Sequence, residues 1–213
     1  MRSPVLDTAT QSTGTVPSLL RAGPDWWNNA CVGFANCEWD LYARGYKRAA
    51  DLLVSHIGAS GSDQDVLVYP ILFMYRQYFE LRLKQLMRDA AVLLDEEFKL
   101  PGTHALTPLY VRLVEKLNVI HENVGGDSIN AKEFVEAEQT IRAIDEVDPQ
   151  SMTFRYPTTL NGNRLVPDVD YINLRVFREG IERLASLLEG IDCQLSALAD
   201  IRNDWMRDQM YNH

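Results

Sequence analysis

Seven side chains in this sequence are of the kinds that chemistry uses: Arg76, Tyr78, Glu80, Lys84, His104, Arg155 and Tyr156. Two arginines, a lysine and a histidine brought together would bind a phosphate or a carboxylated ligand. A histidine beside an arginine could also move a proton while the guanidinium held the developing negative charge. The same residues have an inert alternative. Arg76 and Arg155 could be satisfied by Glu80 and main-chain carbonyls, in an internal ion-pair network that fastens a loop to helices. Both arrangements require convergence, because the seven residues lie in three separate segments.

No other chemistry has a signature here. The chain contains no Gly-rich phosphate loop, HExxH pattern, nucleophile elbow or Walker sequence. His56, His104, His121 and His213 are too dispersed for spacing to make a metal site, so the expectation is no metal and no cofactor.

The elements that must position the seven residues are helical. In YPILFMYRQYFELRLKQLMR, residues 69–88, Leu72, Phe79, Leu83 and Leu86 recur at helical spacing, and Phe73 and Met87 widen the stripe. Pro70 suits a first turn. Arg76 falls on the apolar stripe and therefore needs a partner; Glu80 stands one turn on, followed by Lys84. Upstream, the Ser-, Thr-, Gly- and Pro-rich residues 1–24 read as a flexible arm. Asp25 could cap a helix that carries Trp26, Trp27, Gly33, Phe34, Cys37, Trp39 and Tyr42.

Downstream, His104 precedes a helix in which Leu109, Leu113, Leu117 and Ile120 face inward, with Thr103 or Thr107 as its cap. Another helix carries Phe134, Ala137, Ile141 and Ile144 and ends near Asp148-Pro149. Residues 150–169 form an insert, where Phe154, Tyr156, Leu165 and Val166 could pair around the Asn161-Gly162 turn and deliver Arg155. Asp170 could cap a last helix from Leu174 to Trp205, either broken near Gly190 or continued as one long arm. The expected fold is all-α: a helical bundle over 25–213, with one irregular or short β-hairpin insert between the fourth and last long helices.

At 213 residues the chain can bury a continuous core. Its formal charge of -9 argues against broad non-specific binding to nucleic acid or anionic membranes. Cys31, Cys37 and Cys193 lack CxxC spacing and read as reduced thiols. No basic region followed by an apolar run opens the chain, and no run of about 18 apolar residues occurs, so the expected setting is cytoplasmic, without a membrane.

YRQYFELRLKQL, the following GTHALTPLY and the later DPQSMTFRYP resemble segments of bacterial helical proteins related to the HEPN superfamily, over roughly residues 46–188. The resemblance implies a bundle of four or more helices, often dimeric, in prokaryotic defence, toxin–antitoxin or RNA-processing settings. Many such proteins are metal-independent endoribonucleases, with an arginine followed after four to six residues by a histidine and two copies meeting across a dimer interface.

This chain departs from that motif. Arg202-Asn203 looks like its beginning, yet residues 205–208 contain no histidine, and only Arg207 with His213 has the spacing. The expected function is therefore a HEPN-like accessory or protein-interaction protein, as a homodimer. Two alternatives stand beside it. One is an endoribonuclease using Arg76, His104 and Arg155, in which the histidine would take the 2′-hydroxyl proton; the other is a protein that binds RNA or a small anionic ligand.

Overall fold

The computed structural model describes residues 18–32, 38–125, 131–166 and 169–211. The chain divides into two units, Met1–Asn36 and Cys37–His213. In the first, the described residues form short 3₁₀ turns at Ser18–Leu20 and Trp26–Asn28. The second is an all-α bundle of five helices: α1 (Glu38–Ser60), α2 (Gln64–Leu93), α3 (Leu106–Val124), α4 (Ala131–Val147) and α5 (Leu174–Tyr211).

The expected helix from Asp25 starts much later. Asn29 is extended, and its side-chain amide bonds the backbone of Gly23, accepting from the Gly23 N–H at 2.8 Å and donating to the Gly23 carbonyl at 2.9 Å. This local closure competes with helix propagation. Gly33, Phe34 and Cys37 lie outside the described residues.

α2 is the central element, packed against α1, α3 and α5, while α4 closes the bundle between α3 and α5. It starts at Gln64, so Pro70 lies beyond the first turn rather than in it. It is buried around much of its circumference: Ile71, Leu72, Tyr75, Phe79, Leu83, Leu86 and Ala90 enter the core along with Arg76, Glu80, Arg82, Lys84 and Gln85. A helix covered on several sides must carry its polar residues inward, and this is what generates the internal networks described below.

The last helix is unbroken at Gly190, because Leu184, Leu188, Ile191 and Leu195 keep one buried stripe through that position. Its 38 residues span about 57 Å. Asn173, not Asp170, supplies the cap: its side-chain oxygen accepts from the N–H groups of Arg175 and Val176, both at 3.1 Å.

The hairpin expectation is overturned. Among the described residues there is no strand, and the insert contains a single isolated antiparallel bridge, Thr158 with Arg164. The Asn161-Gly162 turn does form, with Gly162 at φ 80° and the Gly162 N–H donating to the Thr159 carbonyl at 3.0 Å. Pairing stops there for two reasons. Pro157 has no N–H with which to extend the ladder, and Thr158, Leu160 and Arg164 leave one face exposed while Thr159 and Leu165 on the other are only half-buried.

The core predicts its own sensitivity. Leu113, fully buried on α3, should cost about 2–5 kcal/mol when changed to alanine; a shift in the urea midpoint without a change in slope checks it.

Candidate functional site

One turn separates Arg76 from Glu80 on α2 and another separates Glu80 from Lys84, so the three side chains stack along the flank facing the α3 entry and the α4 exit. Arg76 is 1% exposed, and each of its three guanidinium nitrogens donates a hydrogen bond. Its Nε donates to the Asp148 carbonyl at 2.7 Å, one terminal nitrogen to Glu80 Oε2 at 3.3 Å, and the other to the His104 carbonyl at 2.7 Å. The carboxylates of Asp148 and Asp145 stand 3.5 and 3.8 Å from the guanidinium.

Those two aspartates also organise the chain around them. Asp145 reaches across from α4 to accept from the N–H groups of Leu106 and Thr107, at 2.8 and 2.6 Å, and so caps α3 from another helix. Asp148 Oδ1 accepts from the N–H groups of Met152 and Thr153, at 2.7 and 3.0 Å, which fixes the start of the insert.

Glu80 Oε1 accepts from Lys84 Nζ at 2.8 Å and lies 2.9 Å from His104 Nδ1. A carboxylate only accepts, so this contact places a proton on Nδ1 and leaves Nε2 as the second ring nitrogen, on a side chain that is 62% exposed. Burial alone would raise the Glu80 pKa, but the hydrogen bonds from Lys84 and His104 outweigh it and hold the carboxyl below its ordinary value of 4.5.

The structure thus brings together Arg76, Glu80, Lys84 and His104, and does not bring in the other three candidates. Arg155 lies over the Phe73 ring, 5.7 Å from its centroid, and over the Tyr156 ring at 5.3 Å. It also donates to the Tyr156 hydroxyl at 3.4 Å. Tyr78 points to the opposite flank of α2, where burial pushes its phenol above the ordinary range. Of the motif-spaced pair, Arg207 is ion-paired to Asp204 at 2.9 Å, and His213 lies outside the described residues.

The opposite flank carries a second polar layer that the candidate set misses. Arg82 bonds Asp40 of α1 at 3.2 Å and Asp192 of α5 at 3.0 Å. Tyr75 donates to Asp51 at 2.6 Å, and Lys47 bridges Asp51 and Glu182 at 3.0 and 3.1 Å. The signal available in the sequence was the Tyr75, Tyr78, Arg82 spacing of three and four, a second stripe parallel to the apolar one.

Chemically, a carboxylate-oriented histidine with a free nitrogen is half of a general base. The other half is missing, since Arg76 is buried with each of its nitrogens donating inside the protein and Lys84 is held by Glu80. Two cations face three carboxylates, a local balance that repels rather than gathers an anion. Among the described residues no three His, Cys, Asp or Glu side chains are placed to hold a metal ion.

No family model matches the chain, nor does a curated protein or a solved structure.

Two outcomes follow from the network. Arg76→Leu strands buried carboxylates and should cost about 3–5 kcal/mol, read by chemical denaturation. The Glu80 pKa is lower folded than unfolded, so its contribution is present above the ordinary value near 4.5 and disappears as pH falls through the folded value. Glu80→Gln should therefore flatten the fall in denaturation midpoint between about pH 6 and pH 3.

Proposed function

We propose that this chain is an interaction protein on a HEPN-like helical scaffold, without nuclease activity, and that it works as a homodimer joined through the end of α5. One observation supports this over the catalytic reading: the guanidinium that would have to stabilise a phosphorane is dry, and each of its nitrogens is bonded within the protein. His104 retains an accessible ring but has no free cation beside it.

The surface for the second copy lies where α5 leaves the bundle. Arg202 donates to the Val92 and Leu93 carbonyls at 2.7 and 3.1 Å, in the last turn of α2, and also pairs with Asp95. Beyond this anchor residues 203–210 are exposed, and Trp205, Met206 and Met210 continue an apolar face, with Ile201 beside them. Trp205 is 63% exposed and Met210 81%. A cavity of about 570 Å³ adjoins this face, lined by Leu93, Leu94, Ile120, Val124, Leu198 and Trp205. Asp200, Arg202, Asp204 and Arg207 alternate in sign, which suits a second copy better than a strongly charged partner. No described helix is long and apolar enough to cross a membrane.

Metal-free incubation with mixed-sequence RNA should give no cleavage by wild type or by folded His104→Ala; cleavage that His104→Ala abolishes would reinstate the enzyme. In sedimentation the wild-type mass should be that of a dimer, and Trp205→Glu should weaken self-association by at least about tenfold while leaving the helix content unchanged. A wild-type monomer at micromolar concentration would remove the dimer from the reading.

A further inference from the structure

The groove between α4 and α5 is a second, chemically distinct site. It measures about 580 Å³, within the roughly 300–1,000 Å³ usual for small-molecule sites. Leu72, Ile144, Val147, Phe154, Val176 and Phe177 make its walls apolar. Arg76 also contributes to the wall, but it is almost wholly buried and each of its nitrogens already donates within the protein.

The cationic group that can act is Arg183. It lines this groove and also the neighbouring cavity of about 710 Å³ between α3, α4 and α5; Glu136 and Thr140 are shared in the same way, so Arg183 stands where the two meet. It has no hydrogen bond or ion pair with any described residue, whereas Arg142 and Arg175 on the same two helices are paired to Glu138 and Glu179, at 2.6 and 3.0 Å. Glu136, the acid that shares the wall, is turned to Lys132 at 3.8 Å. Thr140 donates its hydroxyl to the Glu136 carbonyl of its own helix at 3.1 Å.

Gly180 adds an independent observation. Glycine inside a helix is unfavourable, and here no neighbouring helix requires it: the nearest atom to an added Cβ would be the Arg183 terminal nitrogen, at 3.8 Å. Gly180 also lines the groove. What its missing side chain leaves open is space in the wall directly beside the guanidinium.

We propose that this groove binds a monoanionic amphiphile of the medium-chain carboxylate class. The apolar body lies between α4 and α5 against Val147, Phe154, Val176 and Phe177, and the carboxylate accepts a charge-assisted, two-point hydrogen bond from Arg183. The interior of the groove removes the chain from water, and the cation selects the head.

Titration calorimetry of the full chain with decanoate, below its micelle concentration, tests this directly. Wild type should bind one decanoate, Arg183→Gln should weaken it about tenfold, consistent with loss of a hydrogen bond to a charged group, and 1-decanol should bind more weakly than decanoate. Gly180→Leu should abolish binding by filling the wall, with a melting temperature no lower than wild type, which separates the site from the fold. Absence of saturable decanoate binding up to millimolar concentration overturns the proposal. So does binding that survives Gly180→Leu, or a decanol affinity equal to that of decanoate. A groove that takes an apolar peptide but no decanoate would likewise overturn it in favour of a protein partner.

Discussion

A guanidinium cannot be left dry without partners, and Arg76 is dry. That constraint ties together parts of the chain far apart in sequence: the loop before α3 through the His104 carbonyl, the end of α4 through Asp148, and α2 itself through Glu80. The carboxylates around it are in turn committed elsewhere, Asp148 to the first residues of the insert, Asp145 to the first amides of α3, and Glu80 to Lys84 and His104. The desolvation cost of the charge is offset only when all of these segments are in place, so the network specifies one arrangement of α2, α3, α4 and the insert.

The second layer does the same work on the other flank. Arg82 joins α1 to α5 across α2, and Tyr75, Asp51, Lys47 and Glu182 form a parallel tie. Burial first, and then the bond to Asp51, raise the Tyr75 pKa above the ordinary range, so the phenol stays a donor. The hydroxyl of Tyr78 and the Nε of Arg82 are buried without a partner among the described residues. Apolar packing supplies the driving force in this bundle, and the two polar layers decide which faces of α2 meet which neighbours.

Much of this was legible, for reasons that can be named. Helical periodicity marks the inward faces of α2, α3 and α5, and a charge on an apolar stripe marks Arg76 as a residue in need of partners, with Glu80 one turn away as the first of them. The spacing also contains a warning about Tyr78. Two residues advance a helix by about 200°, so Tyr78 could not share a flank with Arg76. Asp145 and Asp148 were not legible as partners, because nothing in a linear sequence relates position 145 to the amides of 106 and 107. The Asn161-Gly162 turn was legible but the strands beside it were not formed, since a turn signal says nothing about whether the flanking residues have a face to bury. The continuity of α5 through Gly190 depended on buried contacts on either side, which outweigh the local preference of one glycine.

The anchoring of Arg202 on the end of α2 has a consequence for how the tip of α5 behaves as a surface. A short isolated segment such as residues 203–211 would not hold a helix in water, because the first turn is costly to nucleate. Here the helix is already nucleated deep in the bundle and is fastened one turn before Trp205. The tip needs only propagation, so its backbone is set before anything meets it. Whatever docks there loses little additional chain entropy on docking, and a modest apolar face can then support an affinity that an unstructured tail of the same composition could not reach.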